Sequence, residues 1–86
     1  MKIVVTGACG FIGYHVTKKL IANNHKVIGI DNLNNYYDVK LKKKRLSLLK
    51  RSNKFKFYQE DIENYNSIEK IFKIQKPTIV VNLAAQ

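Results

Sequence analysis

Two kinds of apolar run alternate along this chain. Ile3-Val4-Val5, Val27-Ile28-Gly29-Ile30 and Ile79-Val80-Val81 are short and unbroken, as strands buried on both faces are. Lys54-Phe55-Lys56-Phe57-Tyr58 alternates with a period of two, again the pattern of a strand. Between these runs the apolar positions recur at helical spacing: Ile12, Val16 and Leu20; then Leu41, Leu46, Leu48 and Leu49; then Ile68, Ile71 and Phe72. Asn66, with Glu69 three positions later, resembles a capping box opening the third helix, and Pro77 punctuates the approach to the last strand. The pattern therefore predicts β-α-β-α-β-α-β, with strands near 2–6, 26–31, 54–59 and 78–83. Right-handed crossovers make such a sheet parallel, in the order 3-2-1-4. No repeat, low-complexity tract or linker interrupts the order.

Directly behind the first strand stands Thr6-Gly7-Ala8-Cys9-Gly10-Phe11-Ile12-Gly13. A pyrophosphate needs free backbone N–H groups, the positive end of a helix dipole and no Cβ in the way. Gly7 and Gly10 are candidates for the open backbone, and Gly13 for letting the helix lie close against the strands. The spacing is G-x-x-G-x-x-G, and glycines alone are a weak signal; the surrounding β-α-β order gives it weight.

The second strand ends in Asp31, about twenty residues past the loop, where a carboxylate is placed to accept from an adenosine ribose. Its charge would repel a 2′-phosphate, and Asn32 beside it is no arginine, so NAD is expected over NADP. The third strand also terminates in acids, Glu60 and Asp61, followed by Ile62. Asp61 is a candidate acceptor for the adenine amino group and Ile62 for a ring face, with a plain helix-approach residue as the other reading of Asp61. Leu83-Ala84-Ala85, small and apolar past the fourth strand, leave room for the cofactor to run on toward its nicotinamide half. All four strand ends open on one edge of the sheet, where the chain reverses direction and ligands of open α/β sheets bind.

With 86 residues, 45% of them hydrophobic, the chain can build one modest core. No apolar stretch approaches the roughly eighteen residues of a membrane helix, and no secretory leader is evident, so the expectation is a soluble, cytoplasmic protein with no membrane partner. The single cysteine, Cys9, fits a reducing compartment and reads as an inert small residue of the loop.

The net charge of +10 raises a different question, because such a balance also suits nucleic acid. Nine of the sixteen basic residues fall between Lys40 and Lys56, a span without an acid. The favoured reading is a solvated Lys/Arg face on an amphipathic helix whose leucines pack inward, and no nucleic-acid partner is expected. A phosphate-tracking helix is the alternative, and strong salt sensitivity would reveal it.

Taken together, the glycine loop, Asp31-Asn32-Leu33-Asn34-Asn35-Tyr36-Tyr37-Asp38-Val39, Leu41-Lys42, Arg45-Leu46, Asp61-Ile62 and Asn82-Leu83-Ala84-Ala85-Gln86 resemble the start of an extended short-chain dehydrogenase/reductase of the NAD-dependent epimerase/dehydratase family. More narrowly they resemble nucleotide-sugar 4-epimerases, above all the UDP-glucuronate 4-epimerases of capsule and cell-wall polysaccharide synthesis, and the similarity spans the whole chain. The resemblance implies a Rossmann-type parallel sheet holding NAD. It places Gly7, Gly10, Phe11, Ile12 and Gly13 at the pyrophosphate, and Asp31, Asn32 and Asn35 at the adenosine ribose. Asp61 and Ile62 fall at the adenine, with Leu83, Ala84 and Ala85 farther along. It also implies an isomerase acting on a UDP-sugar through a 4-keto intermediate, and homodimers among full-length members.

The family's catalytic Tyr-x-x-x-Lys pair and nearby Ser or Thr lie beyond the fourth strand. Residues 1–86 are therefore expected to be the N-terminal part of the NAD-binding domain, without the catalytic and substrate-binding portion: a fragment, marginally stable alone and without turnover. Tyr14 to Lys18 and Tyr36 to Lys40 share the spacing, but the first sits at the phosphate end and the second on the adenosine side, so no catalytic residue is assigned. His15 and His25 have neither metal-like spacing nor a partner cysteine and are expected to be exposed. A non-catalytic dinucleotide-binding module, or a dehydratase or decarboxylase of the same family, remains the alternative.

Overall fold

The computed structural model describes residues 1–34 and 39–84. Its elements run β1 Lys2–Thr6, α1 Phe11–Ala22, β2 Lys26–Asp31, α2 Val39–Leu49, β3 Phe55–Gln59, α3 Tyr65–Gln75 and β4 Ile79–Asn82. The four strands form one parallel sheet in the order β3-β2-β1-β4, a Rossmann-like arrangement with the topology the sequence predicts. Strand ends lie within a residue of the expected positions.

Alternation along the strands splits the core into two layers, because successive side chains face opposite sides of a sheet. Ile3, Val5, Val27 and Phe55 point to one side, where Ala8, Cys9 and two leucines of α2, Leu46 and Leu49, complete the cluster. Val4, Ile28 and Ile30 point to the other, where α3 covers them with Ile71, Ile68 and Phe72, the stripe expected for that helix. The edge strand β4 is less covered: Ile79 and Val80 are exposed.

Three helix details depart from the sequence reading. In α1 the fully buried residues are Gly13 and Thr17; of the expected Ile12-Val16-Leu20 stripe, Leu20 packs partly buried against the core and Val16 is half-buried, but Ile12 is 62% exposed. The helix is turned so that its smallest residue meets the turn at Gly7, and close backbone approach outweighs burial of one isoleucine. In α2 only Leu46 and Leu49 pack inward, while Leu41 and Leu48 are exposed. In α3 the N-cap is Asn64, whose side chain accepts from the Ser67 amide, so Asn66 lies inside the helix and the expected Asn66–Glu69 box does not form. A turn in which the Asn64 amide donates to the Asp61 carbonyl starts the helix two residues early.

Candidate functional site

Where the carboxyl ends of the strands open, a cleft of about 700 Å³ lies between the loop after β1 and the segments after β2, β3 and β4. Gly7, Gly10, Phe11, Ile12 and Gly13 line one wall. Asp31 and Asn32, then Asp61 and Ile62, line the side toward β3, and Leu83 and Ala84 the side toward β4. Asn35, Tyr36 and Ala85 lie outside the described residues.

The loop is shaped by two glycines that no other residue could replace without movement. Gly7 has φ of 74°, and a Cβ there would stand 2.9 Å from the Ala84 nitrogen and the Leu83 carbonyl carbon. A Cβ at Gly13 would overlap the Gly7 carbonyl oxygen. Gly10, the N-cap of α1, donates its amide to the Gly7 carbonyl at 3.0 Å, so its own N–H is already committed. The first helical bond runs from the Tyr14 amide to the Gly10 carbonyl at 2.9 Å. The amides of Phe11, Ile12 and Gly13 precede that bond and have no protein partner among the described residues. No acid occupies the first turn of α1 to compete for its dipole.

Asp31 closes the loop from the neighbouring strand. It is 5% exposed; Oδ2 accepts from the Cys9 amide at 3.0 Å and Oδ1 from the Leu33 amide at 2.7 Å. The Lys42 ammonium stands 3.4 Å from Oδ1. A carboxylate offers about four acceptor positions, so capacity for a ligand hydroxyl remains after these contacts. Asp31 thus tethers the glycine loop as well as lining the cleft. Asp61 is exposed and accepts the Glu63 amide at 2.9 Å, the helix-approach turn considered for it; its other oxygen bonds no described residue. Asn32 likewise accepts the Asn34 amide at 2.7 Å.

Sequence reasoning missed the contribution of α2. Leu41, Lys42 and Arg45 line the cleft, as do Asn34, Glu60 and Glu63. Lys42 and Arg45 fall on one helical stripe with the buried Leu46 and Leu49, a spacing that singles out these two cations as inward-facing. The remainder of the basic helix matches the solvated face expected: Lys40, Lys43 and Lys44 are exposed.

Other candidates fall away from the cleft. Cys9 is fully buried, and burial, then the Asp31 charge, pushes its thiol up to about 12, which suits an inert residue. Lys18 lies over the Tyr14 ring, 5.5 Å from its centroid, and neither residue lines the cleft. His15 is exposed and meets Phe11 edge-on, whereas His25 is half-buried, a correction to its expected exposure, with Nδ1 3.4 Å from the N-terminal nitrogen. No helix among the described residues is long and apolar enough to cross a membrane.

Residues 4–86 match the model of the GDP-mannose 4,6 dehydratase family. The chain belongs to that family. Protein CapI of Staphylococcus aureus is 50% identical over 86 residues, which is all of this chain and 25% of that protein. The UDP-glucuronate 4-epimerase of Thermodesulfobacterium geofontis is 47% identical over 83 residues, 96% of this chain and 26% of the relative. Among solved structures, the UDP-glucuronic acid 4-epimerase of Bacillus cereus in complex with UDP-glucuronic acid and NAD aligns with a TM-score of 0.87 and 38% identity, over 99% of this chain and 26% of that one. The chain spans about a quarter of the length of these relatives. The resemblance to UDP-glucuronate 4-epimerases noted in the sequence is matched by the Thermodesulfobacterium geofontis and Bacillus cereus relatives.

Proposed function

We propose that the cleft holds NAD and that this chain is the NAD-binding part of a nucleotide-sugar 4-epimerase acting on UDP-glucuronate. One observation carries the reading: three unengaged amides at a helix N-terminus, on residues that line the cleft, in a loop whose Gly7 and Gly13 pack too closely against protein backbone to carry a Cβ. Phe11, Ile12 and Gly13 would bind the pyrophosphate. Asp31, Asn32 and Asn35 would hold the adenosine ribose, Asp61 and Ile62 the adenine, and Leu83 to Ala85 the path toward the nicotinamide. NAD, when bound, supplies reversible hydride acceptance at the sugar C4. The general base that the reaction needs is assigned to no residue of this chain. The Asp31 charge disfavours a 2′-phosphate and favours NAD over NADP.

Titrating the chain with both cofactors tests the reading. Saturable NAD binding with much weaker NADP binding is expected, and no binding of either would remove the proposal. The 86 residues alone are expected not to interconvert UDP-glucuronate; turnover by them would overturn the division of labour proposed here. The DNA beyond codon 86 is expected to encode a Tyr-x-x-x-Lys segment; a non-catalytic dinucleotide module would lack it. A dehydratase is the second reading, supported by the dTDP-glucose 4,6-dehydratase of Bacillus anthracis in complex with NAD, at a TM-score of 0.85 but only 25% identity over 100% of this chain and 27% of that one.

A further inference from the structure

The peptide unit between Cys9 and Gly10 is held at both of its polar ends. Its carbonyl accepts from Arg45 Nη1 at 3.2 Å, and its N–H donates to the Gly7 carbonyl at 3.0 Å. In a trans peptide these groups point in opposite directions, so the two bonds fix the plane of the unit. The amide on the other side of Cys9 is fixed as well, by Asp31. The three unengaged amides begin at the very next residue, Phe11, and the Arg45 guanidinium carbon lies 5.8 Å from the Phe11 ring centroid.

Charge points the same way. The cations lining the cleft are Lys42 and Arg45, and Lys42 is drawn to Asp31. Arg45 makes no ion pair with an acid among the described residues; its hydrogen bond there goes to a carbonyl of the glycine loop. A bare carbonyl oxygen beside a diphosphate would repel it, whereas one bonded to a guanidinium does not, and the guanidinium keeps its full charge.

We infer that Arg45 is a positioning residue for the diphosphate of the dinucleotide, locking the Cys9–Gly10 peptide so that the following amides are presented to the anion and placing an unpaired positive charge beside them. The inference rests on the cleft being a dinucleotide site. It assigns a binding role to one of the two cations of α2 that reach the cleft, the other basic residues of the helix facing solvent.

The test compares Arg45→Met, Arg45→Lys and Lys44→Met in titrations with NAD and with adenosine, which has no phosphate. Lys44 is exposed on the same helix and does not line the cleft, so its loss changes net charge alone. Arg45→Met is expected to weaken NAD binding about tenfold or more, the scale of one charge-assisted hydrogen bond, while leaving adenosine binding unchanged. Arg45→Lys should recover part of the loss, because it keeps the charge but not the planar fork. It also serves if Arg45→Met fails to fold, as judged by circular dichroism. The inference is overturned if either Arg45 variant binds NAD like the unaltered chain, if adenosine binding falls in step with NAD, or if Lys44→Met costs as much. Absence of NAD binding in the unaltered chain would instead strike the reading of the cleft, and this inference with it.

Discussion

The Thr6 hydroxyl donates to the Asn82 side-chain oxygen, joining the ends of β1 and β4. The Thr6 hydroxyl oxygen in turn accepts from the Leu83 and Ala84 amides at 3.1 and 3.3 Å, so one buried side chain sets how the chain leaves β4 along the cleft. Leu83 has a second acceptor in the Thr6 carbonyl, at 3.1 Å; among the described residues the Ala84 amide has only the hydroxyl. Thr6→Val keeps the shape and removes all three bonds. It is expected to cost about 1–3 kcal/mol in urea unfolding, the range for a buried polar group left unsatisfied, and to weaken NAD binding through the displaced Leu83–Ala84 wall. An unchanged unfolding midpoint would show that the bridge contributes nothing.

Gly13 and Gly29 both lack room for a methyl group, but their neighbours differ. A Cβ at Gly13 would strike the Gly7 backbone, which cannot yield without deforming the loop, whereas at Gly29 it would come within 2.7 Å of the Phe55 ring, a side chain that can turn. Gly13→Ala is expected to destabilise by about 1–3 kcal/mol and to abolish measurable NAD binding. Gly29→Ala should lower stability without a specific loss of NAD affinity. Equal effects on NAD in the two variants would contradict the distinction.

These contrasts show how far the sequence could be read. The sheet was legible because Ile3-Val4-Val5, Val27 to Ile30 and Ile79 to Val81 are unbroken apolar runs separated by helix-length spacers, which leaves few topologies once crossover handedness is fixed. The cleft was legible because Gly7, Gly13 and Asp31 mark backbone positions with narrow chemical requirements. The rotation of α1 was not: periodicity scores Ile12 as core, and only the contact between Gly13 and Gly7 shows that backbone proximity decides the face. Lys42 and Arg45 were passed over because hydropathy assigns every cation to solvent; only their helical spacing with Leu46 and Leu49 marks the two long side chains that reach inward.

The start of α3 offers a direct comparison of two asparagines. Asn64 caps the helix through the Ser67 amide, and the side chain of Asn66, two residues on, is exposed and bonds no described residue. Asn64→Ala is expected to cost about 1 kcal/mol, typical of a lost N-cap. Asn66→Ala should stay within about 0.5 kcal/mol of the unaltered chain, as surface changes do. Urea unfolding of the two variants decides it, and the reverse ranking would restore the cap suggested by the sequence.

Cys9 carries the pH dependence that the structure makes explicit. Its thiol rises from an ordinary 9.0 to about 12, first through burial and then through the Asp31 charge, so the folded chain keeps the proton where the unfolded chain loses it. Below pH 9 both states hold the proton and this contribution is fully present. Between pH 9 and about 12 the unfolded state ionises first, and stability falls as pH rises. Cys9→Ala removes that contribution while leaving every other titrating group in place. The unaltered chain should therefore lose more stability between pH 8 and pH 10 than the variant, read as the difference between their urea midpoints. A neutral, buried thiol is also a poor nucleophile, so iodoacetamide at pH 8 should label the folded chain far more slowly than free glutathione. Labelling as fast as glutathione, with no difference between the two pH series, would mean that Cys9 is accessible and that the loop does not hold it as described.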